Sequence, residues 1–255
     1  MTLTAMRADW YDDDPDYNYL RYWDARGYEH GAEVLAIRRL LHGLAVGRAA
    51  DVGGGYGRLS GLLREYAEQV VLIEPSRHQR QLADDFLADI SGVVCQAGDA
   101  ARLPFPDASV ELILVARVLH HIPDPLPALR ELARVLTGDG TVVLEFANSA
   151  NALRRVRAAA GGRRVPRTPI NPPSHVVGGD AERIPFVNHH PAAIRAAVAD
   201  AGFTVERVLS VSNLRMDLLK RALPLPVLLR AERLLQPGLA PFWFGPSVWL
   251  RLHRR

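Results

Sequence analysis

Residues 49–59 read AADVGGGYGRL: a carboxylate, Asp51, closes an apolar run, and Gly53, Gly55 and Gly57 follow at alternate positions. Glycine accepts positive φ and lets another molecule approach the main chain closely, so this spacing points to a loop that holds a nucleotide-like cofactor. The dinucleotide fingerprint G-x-G-x-x-G, counted from Gly53, meets Arg58 where its third glycine belongs, which disfavours a nicotinamide cofactor. A Walker-type phosphate loop fails as well, because no Lys-Ser or Lys-Thr follows the glycines.

Histidine titrates near neutral pH and is the first side chain to consider as a general base. His120 and His121 stand together in VLHHIPD and are the first candidates; His189 and His190, in VNHHPAAI, are the second. Neither pair has a carboxylate at metal-ligand spacing such as H-x-E or H-E-x-x-H, so no metal is expected. Residues 10–28, WYDDDPDYNYLRYWDARGY, hold five of the seven tyrosines and two of the four tryptophans. Tyr19, Tyr22, Trp23 and Arg26 recur at spacings of three and four and share one helix face. Such a helix suits a lid over the glycine loop, with Arg26 pairing a cofactor carboxylate and an aromatic ring covering a cation. A plain amphipathic helix on the sheet edge explains the pattern equally well.

The elements that must position these residues recur from residue 49 onward. Short runs rich in β-branched residues, AADV, VVLI (70–73), GVVC (92–95), VELILVA (110–116) and GTVVLEFAN (140–148), read as strands. Between them LSGLLREYAEQ, PSRHQRQLADDFLADI and DPLPALRELARVLTGDG read as helices, the last closing on glycines that suit a C-cap. Alternation of this kind gives a parallel sheet covered by helices on both faces, with the ligand at the carboxyl ends of the strands. Past residue 148 an Arg-, Pro- and Gly-rich stretch reads as an insertion. A helix (HPAAIRAAVADAGF), a strand (TVERVLSV), one or two proline-broken helices and a last strand (PSVWLRLHR) then complete seven strands. The fold class expected is α/β: a Rossmann-like, seven-stranded, mostly parallel sheet with an N-terminal lid helix and C-terminal insertions. The divisions expected are a helical lid over 1–45, the cofactor-binding core over 46–148, and completion of the sheet over 149–255, with 149–189 and 213–240 covering its ligand edge.

The string from Asp51 to Gly57 resembles motif I of the class I S-adenosylmethionine-dependent methyltransferases. The resemblance runs over residues 45–148, more loosely over 190–211, and AGDAARLPFPDASVELILVARVLHHIPDP is similar to the ubiquinone-biosynthesis (type 11) group. It implies S-adenosyl-L-methionine as cofactor, with Asp51, Gly53, Gly55 and Gly57 shaping its loop. It also implies that Glu74, at the end of the second strand, holds the ribose, with Pro75 beside it. A carboxylate suits that task because it accepts two hydrogen bonds from a vicinal diol. The resemblance implies Asp99 and the Ala100 amide at the adenine and the strand end at His120 and His121 facing the transferring methyl; Arg117 is expected beside it, Tyr22 and Arg26 are expected on the cofactor through the lid helix, and His190 stays a second candidate base.

Formal net charge is +3, but residues 1–150 balance to −8 and residues 151–255 to +11. The arginines at 154, 155, 157, 163, 164 and 167 suit either a solvated face or an anionic partner. Apolar stretches beside them favour a small-molecule or lipid-linked acceptor, with peripheral membrane contact, over nucleic acid, whose single-strand binders interleave aromatics with the basic groove. The lone cysteine, Cys95, excludes an internal disulfide, and no apolar run reaches the roughly 18 to 20 residues of a membrane span. The acidic, aromatic start does not suit a signal peptide, so a cytoplasmic location is expected. The activity expected is O- or C-methylation. Three rivals stand beside it: a cyclase-like protein that keeps fold and cofactor, a nicotinamide oxidoreductase, and an RNA methyltransferase.

Overall fold

A computed structural model describes residues 19–170 and 186–255. Seven strands form one sheet: β1 (Val46–Val52), β2 (Ala67–Ile73), β3 (Val93–Gln96), β4 (Val110–Val115), β5 (Leu136–Ala147), β6 (Phe203–Val211) and β7 (Ser247–Arg254), in the order β3-β2-β1-β4-β5-β7-β6. All neighbours are parallel except β7, which lies antiparallel between β5 and β6. The chain builds outward from β1 in one direction and then, with β4, in the other. The crevice between the carboxyl ends of β1 and β4 is therefore the topological switch point, where such sheets bind ligands.

Nine helices accompany the strands among the described residues: α1 (Tyr19–Asp24), α2 (Gly27–Leu40), α3 (Ser60–Leu63), α4 (Arg77–Phe86), α5 (Leu126–Val135), α6 (Ala152–Ala160), α7 (Pro191–Asp200), α8 (Asp217–Ala222) and α9 (Leu225–Gly238). Period-two alternation divides the core. Ala50, Val52, Ile113, Val115, Val142 and Leu144 face α5 and α7, while Ala49, Leu112, Leu114, Val143 and Trp249 face α2. Each fully buried leucine or valine contributes about 1.5–3 kcal/mol of apolar burial, so the parallel strands read as continuous hydrophobic runs.

Two sequence expectations need correction. The helix expected over 59–69 is the single turn α3; Ala67–Gln69 belong to β2, because pairing with β1 starts at Val46 opposite Ala67. The helix expected to end on glycines instead ends at Val135 and passes directly into β5. Gly138 and Gly140 sit in that strand, where the β4–β5 register shifts between the pairs Val110–Leu136 and Leu112–Thr141. The residues expected as a lid are also part of the core: Ala32, Ala36, Ile37 and Leu40 of α2 are buried against the sheet. Residues 10–18 of the aromatic stretch lie outside those described.

α9 fastens α2 from behind. Glu232, buried, accepts from the Tyr28 hydroxyl at 2.7 Å and from the amides of Ser212 and Asn213 at 2.9 and 3.1 Å. Burial still pushes its carboxyl above the usual range, and the Tyr28 phenol is pushed up by burial and by Glu232. The phenol oxygen in turn accepts from the Leu214 amide at 2.8 Å. Tyr28→Phe removes a donor to a buried carboxylate and an acceptor for a backbone amide, so it is expected to lower unfolding free energy by about 1–3 kcal/mol. Urea denaturation followed by far-UV circular dichroism measures this.

Candidate cofactor and active site

The loop after β1 and the ends of β2 and β4 enclose a cleft lined by Asp51, Gly53, Gly54, Gly55, Arg58, Leu59, Glu74, Gln79, Ala116, Arg117, Val118 and His121. Backbone close approach explains its glycines. Gly53 has φ +69°, and a Cβ there would stand 2.4 Å from Val118 Cγ2. Gly57 does another job: with φ +88° and a Cβ that would meet Leu87 Cδ1 at 2.4 Å, it lets the loop pack on α4 and is not in the cleft lining.

Two buried carboxylates stand at the strand ends. Asp51 Oδ2 accepts from the Ser60 hydroxyl at 2.7 Å, and burial pushes its pKa up to about 6. Glu74 Oε2 accepts from the Gly55 amide at 3.0 Å and Oε1 from the Ser76 amide at 2.9 Å, so both oxygens are oriented by backbone. Burial raises its pKa to about 7 despite those donors. Gln79, on the first turn of α4, is 2% exposed and its amide nitrogen and oxygen have no partner among the described residues, although it lines the cleft.

The far wall is a charge network that sequence reading largely missed. Glu33 of α2 pairs with Arg58 at 2.5 Å and with Arg117 at 3.7 Å. Arg58 also donates to His30 Nδ1 and lies 3.5 Å over the Trp23 ring; burial and this guanidinium hold the imidazole below its usual pKa. Arg117 has φ +61°, an unusual conformation for a side-chain-bearing residue; its amide donates to the buried Glu145 and its guanidinium to the Tyr22 hydroxyl. Arg58 had only counted against a dinucleotide. Glu145, a lone charge in the apolar run TVVLEFA, was the available signal for a functional strand end.

The other expected residues divide between the cleft lining and its surroundings. Arg26 is not in the cleft lining, where the guanidinium groups are those of Arg58 and Arg117; its own lies 4.0 Å over the Tyr22 ring. Asp99 accepts from the Ala101 amide and Ala100 is buried, both in the turn after β3 and off the cleft lining. The Pro75 carbonyl accepts from Arg80. Of the histidines, His121 lines the cleft and His120 does not. His120 is buried, 4.0 Å from the His121 ring and stacked on Phe186 at 4.5 Å; burial first, then the neighbouring His121 and Arg117, keeps its pKa well below the usual value. His189 Nε2 lies 2.9 Å from the Leu119 carbonyl and so holds the 3-10 turn Leu119–His121. His190 is the N-cap of α7, its Nδ1 accepting from the Ala192 amide, and it lies outside the cleft lining.

Residues 50–144 match a family described as a methyltransferase domain. Residues 50–144 of the chain carry a methyltransferase domain. Among relatives, the domain is 29% identical over 147 residues to the uncharacterised methyltransferase YcgJ of Bacillus subtilis, covering 52% of this chain and 58% of that one. It is 31% identical over 131 residues to the 27-O-demethylrifamycin SV methyltransferase of Amycolatopsis mediterranei, covering 48% of each. The chain thus spans about half the length of the curated relatives it matches. The methyltransferase fold extends further: a Thermotoga maritima structure described as a possible histamine N-methyltransferase superposes with TM-score 0.64 at 19% identity, over 93% of this chain and 95% of that one. The [4+2]-cyclase SpnF superposes with TM-score 0.56 at 19% identity, over 88% and 80%.

Asp51 gives the methyltransferase domain a defined pH signature. Its folded pKa of about 6 lies above the unfolded value near 4, so the stability it contributes is present below about pH 4 and lost as pH rises through 6. The lowered histidines act in the opposite sense but are common to parent and variant. Asp51→Asn is therefore expected to gain about 2–3 kcal/mol on the parent between pH 4 and 7.5. Denaturant titrations of both proteins at several pH values measure the difference.

Proposed function

We propose that the protein transfers a methyl group from S-adenosyl-L-methionine to an oxygen or carbon of a small or lipid-like acceptor. The observation that carries the reading is Glu74: a buried carboxylate with both oxygens aimed by backbone amides, facing the glycine loop inside the matched methyltransferase domain. The residues present fit the cofactor. Glu74 keeps lone pairs for two ribose hydroxyls, and the partnerless Gln79 amide faces the same cleft. Arg58 and Arg117 are the cations for a carboxylate, and Glu33 is the anion for an ammonium group. Asp99 and Ala100 serve the adenine in this reading.

When bound, the cofactor supplies an electrophilic methyl group on a sulfonium. The chain's part is alignment, since holding the reacting groups in line removes much of the entropic barrier. Trp23, with its indole against Arg58, closes the side nearest α2 against water. His121 is the general base, its ring at the cleft accepting the proton that an acceptor hydroxyl or acidic carbon gives up. His120 positions it through ring contact. The rifamycin-directed relative, whose name specifies an O-demethylated acceptor, supports oxygen as the receiving atom.

Calorimetry with S-adenosylhomocysteine and with NADH tests the reading. Micromolar binding of the first and none of the second is expected; NADH binding alone would overturn it. Glu74→Ala is expected to weaken that binding by about 1.5–3 kcal/mol. Once an acceptor is in hand, His121→Ala is expected to lower turnover by about 10²–10⁴ with cofactor affinity retained; cofactor binding with product formation but no methyl transfer identifies a cyclase-like reaction instead.

A further inference from the structure

β5 and β6 run in the same direction as β1, β2 and β4, and β7 runs against them. The segments after β5, after β6 and before β7 therefore all emerge at the edge of the sheet where the cleft opens. Those segments share an unusual surface. Leu153 and Val156 on α6, Met216 and Leu218 at α8, and Phe242 each expose 57–74% of their area. Neither α6 nor α8 buries a single residue, so packing does not account for these elements' apolar side chains.

Charge accompanies the apolar groups. Residues 151–170 carry six arginines and no Asp or Glu. Arg155, Arg157, Arg163, Arg164 and Arg167 are exposed. On α6, Leu153, Val156, Arg157 and Ala160 follow the i, i+3, i+4, i+7 pattern of one face, so apolar and cationic groups share it. The helix is tied to the turn before β7 by the Ala152 amide on the Phe244 carbonyl at 2.9 Å and by Arg155 on the Phe242 carbonyl at 2.7 Å. Exposed Phe242 is thereby held beside the basic helix.

We propose that this edge, α6 with the 240–244 turn and α8, docks on the surface of an anionic lipid bilayer. Helices that lie in a membrane interface combine aliphatic side chains with arginine or lysine in this way, and each basic residue near an anionic surface contributes about a fivefold gain in partitioning. Among the described residues no helix is long and apolar enough to cross a membrane, so the contact is peripheral. Nucleic acid fits less well: four of the five exposed apolar groups on this edge are aliphatic, whereas single-strand binders present aromatic platforms. The cleft opens at the same edge, which places it beside the bilayer from which a lipid-like acceptor would come. The docking itself rests on the surface and not on the proposed methyl transfer.

Co-sedimentation with phosphatidylcholine vesicles, with and without about a third phosphatidylglycerol, tests the proposal. The full chain is expected to partition onto the anionic vesicles only, and to release at about 1 M salt, where screening acts over roughly 3 Å. Arg157→Ser/Arg163→Ser/Arg164→Ser is expected to lower partitioning at least about tenfold, and Leu153→Glu/Val156→Glu to lower it as well, with unfolding midpoints equal to the parent's. S-adenosylhomocysteine calorimetry on the same variants reads the cofactor site separately, because none of these residues lines the cleft. Absence of partitioning, equal partitioning onto neutral vesicles, or indifference to both variants overturns the proposal. So does a dimer that Leu153→Glu/Val156→Glu dissociates, or arginine-dependent binding of single-stranded RNA without vesicle binding.

Discussion

The pairing of Glu33 with Arg58 and Arg117 is the contact on which the site depends. It joins three parts of the chain that are far apart in sequence: α2, the glycine loop and the turn after β4. A charge as buried as Glu33 is tolerable only when paired and hydrogen-bonded, so the two arginines are held at the cleft by the same need that holds α2 against the sheet. α9 reinforces this from the other side through Glu232 and Tyr28, and Gln236 donates to the Ala32 carbonyl. The C-terminal insertion over 213–240 thus contributes to the site without lining it.

Buried acids recur around the cleft. Asp51, Glu74 and Glu145 all sit at strand ends with pKa values raised by burial. Such groups cost stability in the folded chain and are kept where hydrogen-bond donors aim them. Glu74 shows the arrangement most directly: the Gly55 and Ser76 amides orient its carboxylate without exhausting its acceptor capacity. Stability is given up locally for a preorganised acceptor, and the apolar core on both faces of the sheet offsets that loss.

Much of the fold was legible because periodicity reports it directly. The runs VVLI and VELILV are buried on both faces, and no other element accepts such continuous β-branched sequence. Errors arose where local and tertiary preferences disagreed. REYAEQ has helical composition, yet Ala67–Gln69 pair with β1. The glycines at 138 and 140 look like a helix stop, yet they serve an irregular strand entry. The glycine loop and Glu74 were visible because their residue types are unusual at a strand end. Arg58, Glu33, His30 and Gln79 carry no such mark: the last three are ordinary residues for a helix surface, and Arg58 is ordinary in a turn.

By itself the sequence determined the alternation of strands and helices, the bare backbone after β1 and the acid after β2, because hydrophobic period and glycine content act through neighbours a few residues away. Only the tertiary structure decided which histidine of the first pair reaches the cleft, which arginines line it, and that Gly57 packs on α4. Those outcomes depend on what lies across the sheet: Phe186 against His120, Trp23 and Glu33 against Arg58, Leu87 against Gly57. Such contacts between distant segments are set by packing and desolvation, and local spacing does not encode either.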